Sequence, residues 1–180
     1  MENTIETIGK GAFSGCSALT RLVVPFVGES RTATQEKGLL TYWFGQNSVE
    51  NTEKIYQFYL DDKGSDQNYS AYVPLSLTHI EVFDATRIPY GAFSYVEMLQ
   101  NISFEGISEI EGRAFEYATS IVVFDLPNTL SSIGTNAFAH TGIRNIVIPE
   151  NVQMIGEGVF AGCKALTCLL YTSPSPRDRG

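Results

Sequence analysis

Histidine and cysteine are the side chains from which metal sites and nucleophilic centres are most often built, and this chain has two of the first and three of the second. His79 and His140 stand in no HExxH arrangement and beside no cysteine pair, so zinc lacks its usual ligand spacing. Cys16, Cys163 and Cys168 make neither a CxxC pair nor an even-numbered disulfide framework. The glycine-rich stretch GKGAFSG, Gly9 to Gly15, approximates a dinucleotide-binding turn, but Ser14 stands where the third glycine belongs, and no strand and acidic ribose partner frame it. DDKGSDQN, Asp61 to Asn68, offers oxygen ligands without the order of a calcium loop or its terminal glutamate, and reads as a solvated turn. The serines lack the local context of a nucleophile elbow. These residues point to no catalytic, cofactor or metal site and to no enzyme. Asn68-Tyr69-Ser70 and Asn101-Ile102-Ser103 match a glycosylation sequon, which matters only in a eukaryotic secretory host.

Composition narrows the partners. The 180 residues are 43% hydrophobic and 18% charged with a net charge of −8, ordinary for a globular chain with one sizeable core. Lysine and arginine are scattered, which argues against nucleic acid. No apolar run approaches the roughly 20 residues of a membrane-spanning helix, and no charged leader followed by an apolar stretch opens the chain, so no membrane insertion is expected.

What positions these residues is a repeat. Ala-Phe recurs at Ala12-Phe13, Ala92-Phe93, Ala114-Phe115 and Ala137-Phe138, then as Val159-Phe160, and the last steps are 22, 23 and 22 residues. Each pair is followed by apolar-x-x-apolar-x-apolar: Leu19-Leu22-Val24, Leu99-Ile102-Phe104, Ile121-Phe124-Leu126 and Ile143-Ile146-Ile148. Leu77-Ile80-Val82 stands in the same register one period before Leu99. Alternation in the final residues is the period-two mark of a strand buried on one face. Proline then ends the strand at Pro25, Pro127 and Pro149, and an apolar-x-x-Ile-Gly unit, Leu130 to Gly134 and Val152 to Gly156, turns the chain back. One such unit cannot bury its apolar face alone, so units must stack into a β-rich solenoid with one short parallel strand per 22–23 residues and short helical turns.

The phrases IGKGAFSGCSALTRLVVP and IGTNAFAHTGIRNIVIPENVQMIGEGVFAGCKAL carry a further signal. They resemble the BspA-type (treponemal-type) leucine-rich repeat, over residues 5–27 and 73–167. Val96, Ala118 and Thr141 depart from its cysteine slot, and Phe104-Glu105 stands where proline is usual. The resemblance implies a cell-surface or secreted protein that adheres to proteins of a host or neighbouring cell through its sheet face. The alternative is a structural spacer array without its own ligand, with an enzyme a distant third.

Two regions are candidates for binding. From Leu19 to Leu77 the chain takes 58 residues where one period would take 22, which lodges about 36 extra residues in an insertion at about 28–73. Its aromatic residues include Tyr42, Trp43, Phe44, Tyr56 and Tyr59. They would form a satellite core, with 33–44 a short helix capped by Thr32, or remain exposed as a recognition patch. On the strands, outward residues should align into columns, among them Arg21, His79, Glu81, Asn101, Ser103, Asp125, Arg144 and Asn145. Their mixed character fits a protein-binding face, or one that is merely solvated.

The ends break the pattern. Residues 1–167 read as a solenoid fragment, with IETIG placing the start in mid-repeat and no polar cap at either end, so a longer natural protein is expected. CLLYTSPSPRDRG, 168–180, departs from the repeat, and its first eleven residues resemble a translated sequencing adapter. Read so, it is a non-native tail, and removing Arg177, Asp178 and Arg179 moves the net charge from −8 to −9. Read chemically, it is a disordered Pro-Ser-rich tail.

Overall fold

Each repeat offers a strip of apolar side chains too narrow to bury itself, and the next repeat supplies the wall. The computed structural model describes residues 3–172 and shows how the walls meet. Its strands, in chain order, are β1 (Arg21–Val24), β2 (Thr52–Leu60), β3 (Asp66–Pro74), β4 (His79–Val82), β5 (Arg87–Ile88), β6 (Asn101–Phe104), β7 (Glu109–Ile110), β8 (Ser132–Ile133), β9 (Asn145–Ile148), β10 (Met154–Ile155) and β11 (Cys168–Tyr171). The apolar phrases supply β1, β4, β6 and β9, as the alternation predicts. Arg21 pairs with His79 and His79 with Asn101, in parallel and in register with the repeat. The Ile-Gly units do more than turn the chain. They form a second parallel ladder, β5-β7-β8-β10, from strands of two residues each.

Between the two ladders runs the phenylalanine column. Phe93, Phe115 and Phe138 are fully buried, and their rings stack at 5.3 Å between successive centroids, with Phe160 continuing at 5.8 Å. Each Ala-Phe turn bends sharply through two left-handed residues: Gly91 and Tyr95, Arg113 and Tyr117, Asn136 and His140, Gly158 and Gly162. Gly11 and Gly15 play the same part in the first turn, which accounts for the glycines of GKGAFSG. Where a ring takes this strained conformation, stacking offsets the cost: Tyr95 on Tyr117 at 4.9 Å and Tyr117 on His140 at 4.3 Å.

The fourth phrase, 121–126, departs from expectation. It makes a single bridge, Val123 to Asn145, and no strand, so the first ladder divides into β1-β4-β6 and β9-β11. The division falls where two phenylalanines, Phe104 and Phe124, meet at 5.8 Å in adjacent coils, in slots that Val, Ile or Leu occupy elsewhere. Ile102 and Phe104 are correspondingly only half-buried, unlike Leu22, Ile80 and Val82.

The insertion is built differently from the expectation of one surplus loop. Residues 26–44 complete the second coil. Ile8 N–H donates to Glu29 O, and Gly11 and Phe13 N–H donate to Tyr42 and Trp43 O, as successive turns do elsewhere in the stack. In place of a helix over 33–44 there are two 3-10 turns, Gln35–Gly38 and Leu40–Trp43. Thr34, not Thr32, precedes the first, and no side chain caps it. The excursion proper is the antiparallel hairpin β2-β3. At its tip, Asp61 Oδ1 accepts from the N–H groups of Lys63 and Ser65 at 2.9 Å each, and these bonds hold its carboxylate below the ordinary range.

At the other end β11 pairs with β9, so the next strand of the repeat is supplied by the first residues of the segment that departs from it in sequence. Edge pairing uses main-chain groups that any β-compatible residues provide, which is why CLLY suffices. The rest of the adapter-like stretch, residues 173–178, lies outside the described residues.

Candidate binding surface

Parallel pairing converts sequence period into columns of side chains, and the solvent-facing columns of the first ladder form a regular surface. Arg21, His79 and Asn101 stand in one column, and Val23, Glu81 and Ser103 in the next. Arg21 donates to Glu81 across the columns at 2.6 Å. Asn101 Nδ2 donates to His79 Nε2 at 3.0 Å, and His79 Nδ1 lies 2.8 Å from Thr78 Oγ1. Asp125 joins Arg21, His79, Glu81, Asn101 and Ser103 around one shallow depression. Arg144 and Asn145, also exposed, lie beyond the division in the ladder. Six of the eight residues expected on this face thereby meet around one depression, and Asn145 shares the next one with Asp125.

The second half of the face is more apolar. Val123 and Val147 are 67% and 51% exposed, and with Asp125 and Asn145 they border a further depression along the division. A polar half therefore adjoins an apolar one.

Of the two readings of the insertion's aromatics, three residues take the buried one and leave the candidate recognition patch. Tyr42, Trp43 and Phe44 are at most 6% exposed, because the second coil needs aromatic volume where its neighbours carry Ala-Phe. Phe13 packs on Trp43 at 5.7 Å and on Phe44 at 6.2 Å. Trp43 Nε1 donates to Gly28 O at 2.9 Å, and Tyr42 OH to Glu29 at 3.0 Å; burial, then this contact, raises the Tyr42 hydroxyl above its ordinary pKa. Tyr56 remains 51% exposed and Tyr59 is half-buried.

Two features escaped the sequence. Gln57 is fully buried and bonds to three backbone groups: its Oε1 accepts from Thr41 N–H at 3.0 Å, and its Nε2 donates to Ala92 O at 3.0 Å and Ser94 O at 2.8 Å. It fastens the hairpin to the second and third coils. Beside it, Glu53, Lys54, Tyr56, Phe58, Tyr95 and Glu97 line a trough between the hairpin and the solenoid. No local sequence signal joins residues so far apart. Among the described residues, no group of three or more His, Cys, Asp or Glu is placed to hold a metal ion, and no helix is long and apolar enough to cross a membrane.

Comparison with known proteins agrees with the repeat geometry. The family model described as BspA type Leucine rich repeat region matches residues 1–32 and 65–174 in six copies, leaving out the two 3-10 turns and β2. No curated protein matches. A leucine-rich repeat protein from Bacteroides ovatus ATCC 8483 superposes with a TM-score of 0.51 at 20% identity, over 69% of this chain and 40% of that one. The T. pallidum leucine-rich repeat protein gives 0.49 at 18% identity, over 69% of this chain and 81% of that one. A leucine-rich cell surface protein from Faecalibacterium prausnitzii A2-165 gives 0.37 at 17% identity, over 72% and 55%. The chain thus spans less than half of the Bacteroides protein and more than half of the other two.

Proposed function

The chain belongs to the BspA type leucine-rich repeat family, and from that premise we propose that it is a protein-binding module of a cell-surface or secreted protein, adhering to a host or neighbouring-cell protein through the face of its first ladder. The observation that carries this reading is the pairing on one regular face of a polar half with an apolar half. The first gathers Arg21, His79, Glu81, Asn101, Ser103 and Asp125, and the second exposes Val123 and Val147 beside Arg144 and Asn145. Such a mixture suits a protein interface, whose rim is polar and whose centre is apolar. An enzyme would call for a nucleophile or general base freed for substrate in a concave pocket, whereas in the shallow depression of this face Arg21 is engaged by Glu81 and His79 by Asn101 and Thr78.

The ion pair Arg21–Glu81 and the bond from Asn101 to His79 satisfy part of the polar half internally, which favours a passive spacer as the second reading. Immobilised chain separates the two. A binding module retains a cell-surface protein, and Val123→Asp or Glu81→Lys with Asp125→Lys weakens retention about tenfold, the loss of one or two good contacts. A spacer retains nothing that these substitutions change.

A further inference from the structure

The trough beside the hairpin has backbone for one wall. In β2-β3, residues whose numbers sum to 126 face each other, as Leu60 faces Asp66 and Thr52 faces Pro74. Asp61 N–H donates to Ser65 O and Leu75 N–H to Asn51 O, which makes the pairs of odd-numbered residues the hydrogen-bonded ones. Two bonds on the far side of β3 agree: Tyr72 N–H donates to Gly45 O, and Gln46 Nε2 donates to Ser70 O, both away from β2. It follows that the N–H and C=O groups of Lys54, Tyr56 and Phe58 point away from β3. At Phe58 this edge is closed by the solenoid, since the Phe58 carbonyl lies against Gly91, where even a Cβ would collide. At Lys54 and Tyr56 it opens into the trough, and the described hydrogen bonds include none from these outward groups.

The other wall and the rim select an occupant. Phe58 and Tyr95, in tilted ring contact at 5.8 Å between centroids, give the trough an apolar floor. Exposed Glu53 and Glu97 stand at its rim, on a chain of net charge −8. The one cation among the lining residues, Lys54, lies over the rings of Tyr56 and Tyr72 at 5.2 and 6.0 Å, and Arg113, which lies over the Phe58 ring at 5.2 Å, is neutralised by Glu116 and Asp66. An open strand edge bonds to extended backbone, and two free carboxylates beside it favour positive side chains.

We propose that the outer edge of β2 at Lys54 and Tyr56 is a second binding site, which takes an extended peptide segment bearing lysine or arginine as an added strand. The site is separate from the ladder face and does not depend on the function proposed for that face.

The test uses the full 180-residue chain and short fluorescent peptides, read by anisotropy. One peptide alternates valine with lysine, one valine with glutamate, and one is the lysine peptide N-methylated along one edge. The lysine peptide should bind, and the glutamate and N-methylated peptides should not. Tyr56→Pro removes an outward donor without touching the hairpin's own ladder, and Glu97→Lys reverses a rim charge; each should weaken binding about tenfold, as the loss of one charge-assisted or backbone contact does. The proposal is overturned if no lysine peptide binds, or if N-methylation leaves binding intact, a result that needs no variant and so does not depend on how Tyr56→Pro folds. It is also overturned if sedimentation shows a dimer that Tyr56→Pro dissociates, because the edge would then belong to a second copy of the chain.

Discussion

Gln57→Leu should loosen the hairpin from the solenoid at a cost that can be reckoned bond by bond. The side chain makes three hydrogen bonds in a fully buried setting, to Thr41 N–H, Ala92 O and Ser94 O. Thr41 N–H and Ser94 O would be left buried without a partner, at the low end of about 1–3 kcal/mol each, whereas Ala92 O keeps the Leu40 N–H and loses about 1 kcal/mol. Leucine returns about 1 kcal/mol through its apolar burial. The expected net loss is about 3 kcal/mol, a large part of the roughly 5–15 kcal/mol that holds a domain together. Trp43 is the only tryptophan and is fully buried in the coil that Gln57 fastens, so its emission reports the loss directly in urea. With a slope of about 2 kcal/mol/M, the midpoint should fall by about 1.5 M. Gln57→Glu refines the test. Its carboxyl still accepts from Thr41 N–H but turns an oxygen towards two carbonyls, which raises its folded pKa above the unfolded value of about 4.3. Stability should therefore be best preserved below pH ~4 and lost as pH rises through the folded pKa. A Gln57→Leu midpoint within about 0.3 M of the parent, or a Gln57→Glu variant indifferent to pH between about 4 and 8, would refute the reasoning.

The stacked column predicts a gradient along the molecule. Phe115→Ala, which removes a fully buried ring between Phe93 and Phe138, should cost about 4 kcal/mol in urea unfolding, whereas the half-buried terminal Phe160→Ala should cost about half as much. Gly91→Ala meets both a left-handed backbone and the Phe58 carbonyl and should cost more than about 2 kcal/mol. Gly15→Ala meets only the backbone and should cost about 1 kcal/mol, and thermal unfolding of the two variants compares them. The Asp84 carboxylate is held below its ordinary range by Arg31, then by Asn3. Its contribution to stability is therefore present above the unfolded pKa and lost as pH falls through the folded one, and Asp84→Asn should flatten the acid limb of an unfolding titration.

How far the sequence could be read depended on how many residues carried each signal. The phenylalanine column was legible because Ala-Phe recurs at a fixed step and only stacking can bury it, and Phe93, Phe115 and Phe138 lie where that argument puts them. The second ladder was not, since two-residue strands such as Arg87–Ile88 are too short to show alternation. The hairpin hid for a different reason. Its buried residues include a glutamine and its exposed ones a tyrosine, so the polarity of Ile55, Tyr56 and Gln57 disguises the period of two. The completed second coil was disguised as well, with Trp43 and Phe44 supplying the volume usually given by Ala-Phe. On the face, register followed from period alone and carried Arg21, His79, Glu81, Asn101 and Ser103 to their columns. The missing strand at 121–126 coincides with a contact between two large rings in adjacent coils, which no single repeat contains.

The interrupted first ladder gives the molecule a mechanical asymmetry. Between β6 and the fourth coil the strand side has no ladder across it, while the β5-β7-β8-β10 side runs through without a break. Drawn apart at its two ends, the stack should part first along that seam and swing about the unbroken side, as a book opens about its spine, baring Ile102, Phe104 and Phe124 before any other coil gives way.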